Sequence, residues 1–146
     1  LESLMLLQEH ERSVTDTRVP ASDAVAKGCF AYLQRDCRIK QGKILIGLID
    51  KRYAGFVAYC FEASDNCNEV ADYKRYALIS SICVHPEFRH QGLGQKLLQA
   101  AEDHIRSTGF IGRLRIWAVA NNTLATSAYM RFGFKPEEIV FEKKLT

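Results

Sequence analysis

The segment from Tyr76 to Ile105 constrains the fold of this chain more than any other. Its first part, Tyr76–Val84, is an almost uncharged run with the length of a buried central strand. Pro86 then prevents a simple continuation of that strand. The helix that follows carries its apolar residues on one stripe, formed by Leu93, Leu97, Leu98, Ala101 and Ile105. Together with a strand at Arg113–Val119, this order predicts a right-handed βαβ unit with parallel strands.

Helices and strands also flank this unit on both sides, and the chain shows no internal repeat. The other predicted elements are helices at Leu4–Val14 and Ser22–Arg38, a hairpin of strands Lys43–Ile49 and Tyr53–Phe61, a loop at Glu62–Lys74, a helix capped by Asn121 or Asn122 and ended by Gly133, and one or two strands in Phe134–Leu145. A mixed sheet with helices on both faces, an α/β fold, is the natural packing of this order. We expect one domain, residues 1–146.

Composition excludes several classes of function. The formal charge of +3 is small and the basic residues of the chain are scattered, so we expect no nucleic-acid partner. The apolar stretches are far shorter than the roughly 18 residues that a membrane span needs. The first seven residues lack the features of a secretory signal, so we expect a cytoplasmic protein. Five cysteines without a Cys-x-x-Cys pair or a histidine at zinc spacing predict reduced thiols and no metal site.

The loop from Val84 to Gly94 has the properties of an anion site. A strand that crosses a short glycine turn into a helix leaves unpaired backbone N–H groups at the positive end of the helix dipole. Gly92 and Gly94 let a bulky diphosphate approach the main chain, and Arg89 and His90 add polar groups beside it. A dinucleotide fingerprint and a P-loop both fail on spacing. The alternative interpretation is that the two glycines only form a turn and bind no ligand.

Two blocks of sequence resemble a known family. Arg89-His90-Gln91-Gly92-Leu93-Gly94 matches the Gln/Arg-x-x-Gly-x-Gly/Ala signature of the GNAT superfamily of N-acetyltransferases. The segment Asn122–Phe134 resembles the later Asn-x-x-Ala-x-x-x-Tyr-x-x-x-Gly-Phe block of the same family. The resemblance implies a three-layer fold whose mixed, mostly antiparallel sheet has two splayed central strands. Family members normally begin with a strand before the first helix. No such strand is evident in this sequence, so we expect it to be missing from this chain.

The resemblance also implies a site for acetyl-CoA, bound as a co-substrate. The backbone amides from His90 to Lys96 would hold its diphosphate, and the main chain of Ile82–Val84 would pair with its pantetheine arm in a V-shaped slot beside Arg113–Val119. A main-chain N–H near Ile82 or Cys83 would polarise the thioester carbonyl. The full set of implied cofactor contacts is Ile82, Cys83, Val84, Arg89, His90, Gln91, Gly92, Leu93, Gly94, Gln95, Lys96, Asn122, Ala125 and Tyr129.

The second block also has a physical meaning of its own. Positions 122, 125 and 129 are spaced i, i+3, i+7, so in a helix Asn122, Ala125 and Tyr129 share one face. Ala125 leaves space for a ligand, and Asn122 offers an amide. The Tyr129 hydroxyl is suited to act as the general acid that protonates the departing thiolate, although a satisfied core tyrosine is the alternative.

The general base is not assigned by the sequence. Many relatives carry a glutamate at the position that aligns with Ser80, where this chain has Ser80-Ser81. Serine is too weak a base by itself. A water held by Ser80 or Ser81 is one alternative, and a carboxylate from the preceding loop is the other, with four candidates: Glu62, Asp65, Glu69 and Asp72.

Several conspicuous residues are interpreted as structural. Cys83 has no histidine at a spacing that would activate its thiol, and buried thiols are usually inert. Trp117 is expected to pack in the core between the sheet and its covering helix, with stacking on a substrate as the alternative. His10 and His104 are expected at the surface.

Three functions remain open on the sequence alone. The leading one is direct transfer of an acetyl group, or another acyl group, to a primary amine such as a polyamine, an amino acid, an antibiotic or a protein amine. The acidic loop Glu62–Asp72 would favour a cationic acceptor. The second is a CoA-binding sensor of the same fold without catalysis, and the third is a mononucleotide-binding domain. A homodimer is also compatible with the sequence.

Overall fold

The computed structural model describes all 146 residues. In chain order its elements are α1 Glu2–Val14, α2 Asp23–Ile39, β1 Lys43–Ile49, β2 Arg52–Ala63, α3 Ala71–Lys74, β3 Arg75–Val84, α4 Leu93–Ser107, β4 Arg113–Ile116 and α5 Thr123–Phe132. A short 3₁₀ turn, Pro86–Phe88, lies between β3 and α4. The predicted mixed α/β fold is confirmed. No helix of the chain combines the length and the apolar character that a bilayer crossing requires.

The four strands form one sheet in the order β1-β2-β3-β4. The first two pairings are antiparallel and the third, β3 with β4, is parallel. The predicted polar turn between β1 and β2 is formed by Asp50 and Lys51, both with positive φ, as the right-handed twist of a tight hairpin favours. The parallel pairing confirms the predicted βαβ unit, in which α4 connects β3 to β4.

Helices cover both faces of the sheet. On one face, the predicted apolar stripe of α4 is buried against β2 and β3, with Leu98 and Ala101 fully enclosed beside Val57 and Ile79. On the other face, α1 and α2 bury Leu4, Ala26 and Leu33 against Phe56, Ala58 and Cys83. The side chains of β2 and β3 alternate between these two clusters, which is the period of a strand covered on both faces.

Strands β3 and β4 diverge soon after they meet. Their pairing covers only Tyr76–Ile79 with Arg113–Ile116. Immediately beyond it, β3 carries a bulge against β2, because Tyr59 pairs with Ile79 and Ala58 pairs with Ser81. Ser80 is the extra residue, and its hydroxyl donates to the carbonyl of Ala58 at 3.3 Å. A bulge bends the strand that contains it. The expected splay of the two central strands is therefore present.

Three of the predicted elements need correction. The strand predicted at Arg113–Val119 ends at Ile116, because β3 no longer runs beside it. The loop predicted at Glu62–Lys74 contains the last two residues of β2 and the single-turn helix α3. The strands predicted in Phe134–Leu145 do not form. Instead, the ring of Phe134 packs against those of Phe132 and Tyr129, which holds the chain at the end of α5, and the apolar side chains that follow are exposed.

Candidate functional site

The turn before α4 presents a row of backbone N–H groups. Arg89 N–H is bonded within the 3₁₀ turn and Lys96 N–H within the helix, but the six amides from His90 to Gln95 make no backbone hydrogen bond. Gly92, the N-cap residue, has no side chain that could satisfy them. Such amides lie at the positive end of a 15-residue helix. The segment predicted as an anion site therefore has the geometry of one.

The conformation of this turn depends on one glycine. Gly92 has a φ of 75°, and a Cβ placed on it would meet no atom of the chain within 4 Å. The space above Gly92 is thus open to a ligand rather than filled by the protein. His90 also has a positive φ, which turns its backbone in the same way. On the flank, the Arg89 guanidinium donates to the Val84 carbonyl at 3.2 Å and ties the turn to the end of β3.

The divergence of β3 and β4 opens a cleft of about 330 Å³. One wall is β3 after its last pairing with β4, and the other is the chain beyond β4 together with α5. Of the residues predicted to form the site, the cleft brings together Ser80, Ser81, Ile82, Asn122, Ala125 and Tyr129. Cys83 and Val84 do not line it, and the residues from Arg89 to Lys96 form the separate turn described above. The side chain of Gln95 joins the two regions by donating to the carbonyl of Ala128 on α5 at 3.1 Å.

Tyr129 lies on α5 at the border of the cleft. Burial, with a smaller contribution from the negative charge of Glu11, raises the pKa of its hydroxyl to about 12. The phenol is therefore protonated throughout the neutral range, as a proton donor must be. The same side chain also borders a second cavity, of about 500 Å³, along the outer edge of β4.

Asn122 caps α5, which confirms one of the two predicted caps. Its Oδ1 accepts from the Ala125 N–H at 3.2 Å and lies 3.2 Å from His10 Nε2 on α1. His10 is thus half-buried in a contact between α1 and α5, and its predicted place at the surface is wrong. His104 is likewise half-buried, with Nδ1 at 2.5 Å from the Tyr59 hydroxyl.

Cys83 matches its structural interpretation. Its side chain is buried under α1, where the thiol donates to the carbonyl of Ser3 at 3.4 Å. Burial raises the pKa of this thiol, which keeps it protonated and unreactive. His85 likewise serves the turn, because its Nδ1 accepts from the N–H of Glu87.

The model of the acetyltransferase (GNAT) family matches residues 7–134. The chain belongs to this family. Among curated proteins, the GNAT chain is 31% identical over 68 residues to a mycothiol acetyltransferase of Pseudarthrobacter chlorophenolicus. That match covers 47% of the chain but spans only a fifth, 20%, of the relative's length.

Solved structures share the fold of this GNAT chain. A mutant protein from Bacillus halodurans has a TM-score of 0.80 at 13% identity, covering 99% of this chain and 90% of that one. An aminoglycoside N-acetyltransferase in complex with CoA has a TM-score of 0.63 at 17% identity, covering 82% of this chain and 88% of that one. Identities this low establish a common fold.

The carboxylates that the sequence offered as bases for this GNAT chain lie outside the cleft. Glu62 is paired with Lys40. Glu69 lies between two arginines, and the Ser64 hydroxyl and the Arg115 guanidinium hold its pKa below the ordinary value. Asp65 and Asp72 are exposed on the loop. The negative charges of Glu62 and Glu69 are thus already paired with cations.

Three residues that line the cleft of this GNAT chain were not among the predicted site residues. Trp117 was expected in the core, but its side chain is 57% exposed, because β4 ends one residue earlier and the tryptophan faces the cleft rather than the covering helix. Glu11 of α1 and Arg18 of the following connection also line it. Nothing in the spacing of α1 distinguishes Glu11 from the other acidic residues of that helix, so no sequence signal could have found it.

Proposed function

We propose that this chain transfers an acetyl group from acetyl-CoA to a primary amine by direct attack within a ternary complex. The observation that carries the proposal is the parting of β3 from β4 directly beside the unbonded amides of α4. A strand with one open side can hydrogen-bond an extended amide-bearing arm, and a helix N-terminus can bind a diphosphate. Acetyl-CoA carries both groups. The CoA complex of an aminoglycoside N-acetyltransferase with this fold supports the same assignment.

Each part of the site has a role in this proposal. The unbonded amides from His90 to Gln95 hold the diphosphate, and the main chain of Ile82–Val84 pairs with the pantetheine arm. An N–H of that segment polarises the thioester carbonyl. Ala125 leaves room for the arm, Asn122 donates its side-chain amide to it, and Tyr129 donates to the sulfur as negative charge develops there.

The test is to measure thiol release from acetyl-CoA in the presence of a panel of primary amines. We expect release that depends on the amine, with one acetylated amine formed for each thiol. We also expect CoA to raise the melting temperature of the protein, because a ligand that binds only the folded state stabilises it. Stabilisation by ATP or NAD and not by CoA would contradict the proposal and favour a mononucleotide-binding domain.

A second function, a CoA-binding sensor without catalysis, is favoured by one observation. The central strand carries Ser80 and Ser81 where a base would be expected, and the loop carboxylates lie outside the cleft. The same experiment separates the two functions. Tight binding of CoA without thiol release for any amine would identify the sensor.

We also propose a homodimer, in which a second copy of the chain packs along the outer edge of β4. No strand lies beyond β4, and an open strand edge is a template for pairing with another chain. Nearby, the apolar side chains of Ile139, Val140, Phe141 and Leu145 are exposed. We expect sedimentation to show a dimer that Phe141→Lys converts to a monomer. A wild-type protein that stays monomeric at every concentration would contradict this arrangement.

A further inference from the structure

The cleft contains one pair of opposite charges. Its charged lining residues are Glu11 and Arg18; the rest are neutral or apolar, including Leu7, Trp117 and Val119. Glu11 is therefore the carboxylate that can act on a molecule bound there. Leu7 and Glu11 lie one helical turn apart, so α1 presents both to the cleft.

The placement of α1 puts Glu11 on the side from which an acceptor can enter. Helix α4, whose first turn presents the amides, packs on one face of the sheet, and α1 packs on the other. Between them, the divergence of β3 and β4 leaves an opening through the sheet. A thioester held in that opening from the side of α4 therefore exposes its other face to α1.

Glu11 is held by a contact that a ligand can replace. Its Oε2 accepts from Arg18 Nε at 2.8 Å, with 33% of the glutamate and 46% of the arginine side chain exposed. An ion pair this exposed contributes little to stability, so exchange of its cation costs little. Arg18 can also keep other partners when it leaves, because its Nη1 donates to the hydroxyl of Thr17.

Glu11 lines the same cleft as the proton donor, Tyr129. The negative charge of Glu11 adds to burial in raising the pKa of Tyr129. An amine bound to the carboxylate therefore shares the cleft with the phenol.

We propose that Glu11 binds the ammonium group of the acceptor in place of Arg18 and then accepts its proton. The inference rests on the proposed acetyltransferase function and names its substrate class: a primary alkylamine that carries one positive charge at the reacting end. A single carboxylate among apolar walls matches one ammonium group beside an apolar body. A polycation would find no further negative charge in the cleft.

The protons and bonds of this step balance. The ammonium gives one proton to Glu11, and the free nitrogen attacks the carbonyl carbon of acetyl-CoA. The new C–N bond forms and the C–S bond breaks, with its electron pair on sulfur. Tyr129 gives its proton to sulfur and regains one from the nitrogen, which yields the amide and free CoA. Glu11 finally releases its proton to water.

The test compares Glu11→Gln with a control variant, Glu9→Gln, whose side chain is exposed on the same helix and does not line the cleft. For a primary alkylamine we expect kcat/KM to fall about 100-fold or more in Glu11→Gln and to stay at the wild-type value in Glu9→Gln. Toward hydroxylamine, which is uncharged at neutral pH, Glu11→Gln should keep its activity within about twofold. Calorimetric titration should give both variants the acetyl-CoA affinity of the wild type, which also confirms their folding.

The Arg18→Ala variant tests the exchange separately. If Glu11 had only a structural role, this variant would leave KM for the amine unchanged. Removal of the competing guanidinium should lower KM for the alkylamine by about twofold to fivefold. An unchanged or higher KM would overturn the exchange, and wild-type activity of Glu11→Gln toward alkylamines would overturn the assignment. If the wild-type protein acetylates no amine at all, hydroxylamine included, the proposed function itself fails instead.

Discussion

Replacement of Tyr129 by phenylalanine is expected to lower kcat about 10²- to 10³-fold, the usual effect of removing one donor to developing charge. The affinity for acetyl-CoA should change little, because the hydroxyl acts mainly when charge appears on sulfur. The ring itself remains, so its packing against Phe134 is kept. Rapid-quench or steady-state kinetics at saturating substrates would measure the change, and calorimetry would measure binding.

The raised pKa of Tyr129 decides how the proton is transferred. A phenol with a pKa of about 12 is a weaker acid than an ordinary thiol, whose pKa is about 8.5. A complete transfer from phenol to thiolate would be uphill by roughly 5 kcal/mol. We therefore expect Tyr129 to give its proton only as it receives another from the attacking nitrogen.

The pH dependence of kcat follows from the same pKa. The phenol is protonated well below its pKa, so kcat should not fall through ionisation of Tyr129 in mildly alkaline buffer. Unchanged turnover in Tyr129→Phe would contradict the role.

Replacement of Gly92 by leucine is expected to weaken CoA binding by at least about 100-fold, because each hydrogen bond to a charged group contributes about 1.5–3 kcal/mol and several would be lost. The physical reason is twofold. The open space above Gly92 would be filled, and its φ of 75° is unfavourable for a residue with a Cβ. Calorimetric titration with CoA would measure the loss.

Gly109→Leu is the matched control for this change. Gly109 has a φ of 78° and also has no atom within 4 Å of an added Cβ, but it lies beyond the other end of α4. Both variants therefore introduce the same backbone strain, and only Gly92→Leu reaches the amides. Equal CoA affinity in the two variants would count against the diphosphate site.

The fold could be predicted largely because the chain follows simple periodicities. The apolar stripe of α4 and the uncharged run of β3 identify the βαβ unit, and all five residues of that stripe are buried. The caps at Ser22 and Asn122 also form as predicted, each accepting a backbone N–H. The strands expected in Phe134–Leu145 do not form. Their apolar residues follow the pattern of a strand, but no neighbouring strand pairs with them.

The site could be predicted only where a motif marks it. The turn at Gly92 and the face of α5 that bears Asn122, Ala125 and Tyr129 were predicted, and the structure places them around one cleft and one adjoining turn. Their roles in binding and catalysis remain predictions. Glu11 and Trp117 could not be predicted, because their position depends on the bulge at Ser80 and on how α1 crosses the sheet. Both are tertiary features with no local pattern.

The proposed acetyl-CoA site can be tested with a crystal structure of the protein in complex with this cofactor. We expect density for the diphosphate against the amides from His90 to Gln95, with the pantetheine arm between Ile82 and Val119. The acetyl group should face the cleft beside Tyr129. Density for the whole cofactor elsewhere, for example along the outer edge of β4, would contradict this binding mode.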